Sequence, residues 1–287
     1  MPNTAFTLTM PSTRTTGVVF ASPHSGRGYA RSFLKASILD SHTIRSSEDA
    51  FVDQLLAAAP DHGAPLLAAK APRAYVDLNR GAEELDPALI RGVAKRPGHN
   101  PRVASGLGVI PRVVAGGRAI YRGKMTLGDA QARLTEVWHP YHDRLSRLLE
   151  ESRRLFGHAI LFDCHSMPHE AIESLTRRGR RRPEIVLGDR FGASAAPGIV
   201  DRVEAAFVAA GFVVARNAPF AGAYMAQHYG RPARGQHVVQ IEIDRALYMN
   251  ERFIRPNGNF SNLRGQMTEI MAELAALGRP DLPLAAE

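Results

Sequence analysis

HAILFD (158–163) is an apolar run that closes on a carboxylate, and Cys164-His165-Ser166 follows at once. A run this short, bounded by Gly157 before it and polar residues after it, reads as a buried strand rather than a helix. On an extended chain Asp163 and His165, two residues apart, share one side. Working outward, TGVVFAS (16–22) before Pro23 and HVVQIEI (237–243) are further strands of the same kind. Along the latter, His237, Val239, Ile241 and Ile243 take one face and Gln240, Glu242 and Asp244 the other. Shorter strands are expected at 65–71, 74–78 and 212–215. Helical periodicity marks 127–156 (interrupted near Pro140), 197–210 and 261–277. It also marks 47–59, with Ser47 as N-cap and Phe51, Leu55 and Leu56 on one face. Strands alternating with helices predict an α/β fold: one domain over 1–287, with a mixed, largely parallel sheet flanked by helices. In such sheets ligands gather beyond the C-terminal strand ends.

The composition is that of a water-soluble globular protein: 45% hydrophobic, 22% charged, and no apolar run long enough for a membrane span. The start, Met1-Pro2-Asn3-Thr4, lacks the basic and apolar regions of a secretory signal, so a cytoplasmic location is expected. A single cysteine, Cys164, excludes an internal disulfide and thiolate-cage zinc sites. The net charge of +8 is carried almost wholly by arginine, densest at RRGRRR (177–182). Flanked by Gly and Pro, that run reads as a solvated loop. The other arginines are scattered without interleaved aromatic residues, which argues against nucleic acid and for a small anionic substrate.

Polar clusters fall where the strands end. PHSG (23–26) follows the first strand, Ser47-Glu48-Asp49 opens the expected helix, and Asp163-Cys164-His165-Ser166 closes HAILFD. Two imidazoles and one carboxylate, with a position open to water, form a catalytic shell for a divalent metal, zinc being the first choice. His24, His165 and an acid at 48–49 are therefore candidate ligands; the plainer alternative is that each histidine satisfies a loop hydrogen bond. Glu242, a carboxylate in a very apolar strand, needs a partner or a task. It is a candidate for the base that takes a proton from water and passes it to the leaving amine; otherwise the strand lies at an edge with a wet second face. RAYVDLNR (73–80) places Arg73, Tyr75, Asp77 and Asn79 on one face of an expected strand, with Arg80 at its end. Arg73, Asn79 and Arg80 are candidate holders of substrate carboxylates, guanidinium forks suiting that geometry. Arg112 or Arg216 would steady a developing oxyanion, and His228 is a further substrate-binding candidate and the reserve for proton transfer.

These clusters, in this order, resemble the N-formylglutamate amidohydrolase family. The matching stretches are SPHSG (22–26), EDAFVD (48–53), RAYVDLNR (73–80), GVIPR (108–112), LFDCHSMP (161–168), VLGDRFG (186–192), NAPFAGAYMAQHYGRP (217–232) and GQHVVQIEIDRALYM (235–249). The resemblance implies kinship with zinc carboxypeptidases and aspartoacylase, hence a zinc-carboxypeptidase-like (phosphorylase/hydrolase-like) fold. It implies hydrolysis of N-formyl-L-glutamate to formate and L-glutamate, a late step of histidine degradation. Deacylation of another N-acyl amino acid on the same fold is the alternative, and a basic nucleic-acid-associated protein a remote one. Carried over by position, the metal ligands are His24, Asp49 and His165, with Glu48 as the fallback. Arg27 stands where the carboxypeptidases have their H-x-x-E acid. Glu242 matches the late-strand general base, and Asn79-Arg80 an Asn-Arg pair that grips a substrate carboxylate.

Overall fold

The computed structural model describes residues 5–94, 100–173 and 182–280. Seven segments join one sheet: β1 (Phe6–Thr9), β2 (Val18–Ser22), β3 (Leu66–Ala69), β4 (Ala159–Met167), β5 (Ile185–Gly188), β6 (Val214–Arg216) and β7 (Gln236–Asp244). Their order is β1-β3-β2-β4-β7-β5-β6. The β3-β2-β4-β7 block is parallel, as is β5-β6; β1 joins β3, and β5 joins β7, antiparallel. The mixed, largely parallel sheet expected from the alternation is thus present. The longest strands, β4 and β7, lie side by side in its middle, so the strand carrying Glu242 is central and not an edge.

One face carries Phe20, Ile160, Phe162, Cys164, Val239, Ile241 and Ile243, covered by two helices, α2 (Pro197–Ala209) and α4 (Phe260–Ala276). The other face starts apolar, with Val19, Leu161 and Val238 under α1 (His139–Phe156) and the short α3 (Tyr224–Tyr229). Toward the C-terminal strand ends the residues of that same face become Asp163, His165, Gln240 and Glu242, with His165 opposite Glu242 and Asp163 opposite Gln240. The period of two in the side chains converts a change from apolar to polar along two strands into one polar floor at one end of the sheet.

Two expected elements differ. The 47–59 helix shrinks to one turn, Val52–Leu55, after a 3₁₀ turn at Thr43–Ser47, because Phe51 adopts a left-handed backbone (φ 68°). Ser47 caps no helix; its hydroxyl accepts from the Ala115 amide (3.0 Å). Residues 74–78 form turns instead of a strand: Tyr75 and Val76 donate back to the Pro72 carbonyl, and Asp77 donates to Val109. The break expected near Pro140 is a widened π turn, Leu134–Trp138, leading straight into α1, which tolerates proline's missing donor in its first turn. Among the described residues no helix is long and apolar enough to cross a membrane.

Candidate metal centre and its pocket

His24 sits two residues beyond β2, and β2 runs beside β4 with Ala21 opposite Asp163, so His24 comes to lie against His165, ring centroids 4.7 Å apart. The turn that carries it can pass close to the chain beyond β3 because residue 26 is glycine. A Cβ there would stand 2.0 Å from the Ala71 carbonyl oxygen. Asp49 is pinned to the same turn, its amide donating to the His24 carbonyl at 3.0 Å. All three residues are buried.

His24 Nδ1, His165 Nδ1 and Asp49 Oδ2 face one another: 3.1 Å between the two nitrogens, 3.0 Å from His165 to Asp49 and 3.4 Å from His24 to Asp49. The far side of each ring meets a carboxylate. His24 Nε2 hydrogen-bonds Asp77 Oδ1 (2.7 Å), and His165 Nε2 lies 3.0 Å from Asp163 Oδ1, an ion contact lacking hydrogen-bond alignment. Carboxylates at Nε2 favour the proton there, which turns both Nδ1 lone pairs toward the Asp49 oxygen. Three acceptors in mutual contact repel unless a positive charge joins them. Ligands about 2.0–2.1 Å from a tetrahedral zinc stand about 3.3 Å apart, close to the spacings observed here. The arrangement fits a divalent cation, and these three residues form the group among the described residues able to hold one.

The electrostatics agree. Burial alone would depress the His165 imidazole, yet Asp163, Asp49 and Glu242 raise it well above its ordinary value. Burial would raise Asp49, yet the His165 and His24 imidazoles hold it well below the usual carboxylate range.

Three groups steady the centre from behind. Arg245, buried just past the end of β7, donates from Nη2 to Asp49 Oδ1 (3.0 Å) and from Nε to Ser166 Oγ (3.2 Å), leaving Asp49 Oδ2 for the histidines. Arg73 Nε donates to Asp77 Oδ2 (3.0 Å). Asn79 Nδ2 donates to Asp163 Oδ2 (3.2 Å) and lies 3.1 Å from His165 Nε2, while its Oδ1 accepts the Met225 amide (2.8 Å). Glu242 accepts from Gln240 Nε2 (2.9 Å), and burial is the main cause pushing its carboxyl up to about 7.

A cavity of about 570 Å³ opens over this floor, and His24, Asp49, His165, Glu242, Arg73, Asn79 and Arg80 all line it. Four expected residues are placed elsewhere. Glu48 turns away from Asp49, its carboxylate taken by Arg45 Nε and Nη2 (2.9 and 3.0 Å), since the extended backbone at 48 sends neighbouring side chains to opposite sides. Arg112 donates to Asp86 (2.9 Å) and the Ala104 carbonyl. Arg216, on edge strand β6, pairs with Asp201 and Glu204 of α2. His228 lines an adjoining crevice, stacked on Tyr224. Of the arginine run, 177–181 lies outside the described residues; Arg182 contacts Glu173 and His169. The sequence reading had assigned no role to Arg245, although a cation directly after a buried polar strand face is the visible signal. It had placed Asp77 on the carboxylate-binding face without linking it to His24.

The profile of the N-formylglutamate amidohydrolase family matches residues 16–249. Over 91% of its length the chain is 28% identical to N-formylglutamate deformylase of Pseudomonas aeruginosa, of which it covers 94%. Over 82% it is 29% identical to the Pseudomonas putida N-formylglutamate deformylase, of which it covers 82%. The crystal structure of N-formylglutamate amidohydrolase from Ralstonia eutropha JMP134 superposes with a TM-score of 0.89 at 35% identity, over 96% of this chain and 98% of that one.

Proposed function

This chain belongs to the N-formylglutamate amidohydrolase family, and from that premise we propose that it hydrolyses N-formyl-L-glutamate through a divalent metal, zinc first, held by His24, Asp49 and His165. The observation that carries the proposal is the convergence of two Nδ1 atoms and one carboxylate oxygen beside Glu242 on the floor of the cavity. When bound, such a cation polarises the formyl carbonyl and makes water acidic enough to attack near neutral pH.

The protein's own groups do the rest. Water adds its oxygen to the formyl carbon and the C–N bond breaks, yielding formate and the free amine. Glu242, raised to about 7, takes the proton that water gives up and delivers it to the departing nitrogen. Arg73 replaces Arg112 and Arg216 in the oxyanion role: it lines the cavity, and its charge is felt by Asp49 and Glu242 as well as by its partner Asp77. Arg80 is the carboxylate holder. Its Nε and Nη1 donate to the Leu107 and Asn79 carbonyls, and among the described residues no carboxylate oxygen lies within 4 Å of it. Asn79, with both ends of its amide engaged inside the protein, positions Asp163 and, through it, His165.

Metal analysis of purified protein and a formate-release assay on N-formylglutamate test this together. About one divalent ion per chain is expected, with metal and activity both lost in His165→Ala. Full metal content in that variant, or no formate release by the metal-loaded wild type, overturns the assignment.

A further inference from the structure

A second guanidinium faces the same cavity without an acidic partner. Arg102 lies on the short helical turn Pro101–Ala104, is exposed, and lines both the cavity over the metal centre and the adjoining crevice. Among the described residues no carboxylate oxygen lies within 4 Å of it. The other arginines of the wall are paired, Arg73 with Asp77 and Arg245 with Asp49. Arg102 lies within electrostatic reach of Arg80: burial is the main cause lowering the Arg80 pKa, Asp77 counters it, Arg73 and Arg102 add to the lowering, and Glu84 offsets part of it. Two like charges border one cavity and, among the described residues, neither has a carboxylate oxygen within 4 Å, so an anion entering between them relieves their repulsion.

Their relative placement is built. One carboxylate, Glu84, accepts the Gly81 amide at Oε1 (2.8 Å), next to Arg80, and the Asn100 side-chain amide at Oε2 (3.0 Å). Asn100 Oδ1 in turn accepts the Arg102 and Val103 amides (3.0 and 3.2 Å). The Arg80 turn and the Arg102 turn are thereby tied through two side chains, Glu84 and Asn100, and the Glu84 oxygens are engaged by amides without forming an ion pair with either guanidinium.

We propose that Arg102 reads the second carboxylate of the substrate and so sets the preference for a diacid. The inference rests on the N-formyl amino acid reading above. In that substrate one carboxylate is attached to the carbon next to the scissile nitrogen, and the other lies three carbons further out. Burial distinguishes the two guanidinia that line the cavity over the metal centre: Arg80 is buried and Arg102 is exposed. Arg80 holds the inner carboxylate common to all N-formyl amino acids, and Arg102 the outer one that distinguishes glutamate from its neutral isostere glutamine.

The test compares N-formylglutamate with N-formylglutamine on wild type, Arg102→Ala and Arg102→Lys, measuring kcat and KM by formate release. Wild type should prefer the diacid. Arg102→Ala should lose about 10- to 100-fold more kcat/KM on N-formylglutamate than on N-formylglutamine, the loss residing in KM, as for a charge-assisted contact. Arg102→Lys, keeping charge without the fork, should recover part of it. Equal losses on both substrates, or a fall in kcat alone, would remove Arg102 from specificity while leaving the hydrolase reading intact. Wild type inactive on both would bring down that reading and this inference with it.

Discussion

The two walls of the cavity differ in how their charges are settled. On the metal side each ionic group has its partner inside the protein: His24 with Asp77, Asp49 with Arg245, and Asp163 against both His165 and Asn79, all near 3 Å. Elsewhere on the lining, Arg80 donates to carbonyls and the Arg102 turn is tied through Asn100, and among the described residues neither guanidinium has a carboxylate oxygen within 4 Å. A settled network holds its geometry whether or not substrate is present, which suits catalysis that depends on pre-aimed groups. An unsettled cationic wall is completed only by an anion, which suits selection of substrate. The proposed roles put rate and selectivity on different parts of the cavity wall, and variants on each should fail differently.

The largest expected contrast sets Glu242 against Arg80. Glu242→Gln keeps shape and the hydrogen bond from Gln240 but loses the base. Turnover should fall by about 100-fold or more with metal content and KM little changed. Arg80→Ala should do the reverse, raising KM by about 10- to 100-fold for every N-formyl amino acid, acidic or neutral, with a smaller effect on kcat. Steady-state kinetics on both variants decides: two identical signatures would erase the division of labour between the walls.

That division was only half legible in the sequence. The metal side stands on strand ends, where apolar runs such as HAILFD and HVVQIEI announce themselves and period-two alternation says which side chains share a face. His24, His165 and Glu242 followed from that. The arginine wall stands on turns, whose shape depends on tertiary hydrogen bonds. Residues 74–78 read as a strand because Tyr75, Val76 and Leu78 are apolar, yet that apolarity serves packing while the backbone turns on Pro72. Phe51's left-handed backbone, which shortens the helix at 47–59, and the extended backbone at Glu48, which sends its side chain away from Asp49, leave no trace in the residues' identities. Arg112, inside a matching stretch, and Arg216, just before one, each tie their own loop or edge strand instead.

A second contrast concerns pH in the metal-free protein. Glu242 titrates near 7 when folded, burial being the main cause, against an ordinary value of 4.5. Folding therefore favours its protonated form, so its contribution to stability is complete below about 4.5 and is lost as pH rises through about 7. Glu242→Gln removes this dependence. The melting temperature of the metal-free variant, relative to metal-free wild type, should climb between pH 4.5 and 7 and then level off, at a difference corresponding to at most about 3 kcal/mol. A relative melting temperature that is flat with pH would mean that the Glu242 carboxyl is not held out of solvent on the settled wall.

The smallest expected effect comes from beneath the arginine wall. Trp138, the last residue of the π turn, donates from Nε1 to the Arg80 carbonyl (2.9 Å), and His142, one turn later, lies 3.0 Å from the Leu78 carbonyl through Nε2. The two rings lie against each other, tilted by 36°, with centroids 4.1 Å apart. Together they brace the backbone on either side of Asn79, so the open wall borrows its rigidity from the helix behind it. Trp138→Phe keeps an aromatic ring over His142 and deletes one hydrogen bond to a carbonyl, a loss of about 1 kcal/mol. If that bond positions Arg80, KM should rise about fivefold for all N-formyl amino acids while kcat and metal content hold. Leu134→Ala, in the same turn but packed into the core below the sheet, should lower the melting temperature and leave KM unmoved. Should Trp138→Phe behave like Leu134→Ala, the brace is packing alone, and Arg80 is held by its own bonds to Leu107 and Asn79.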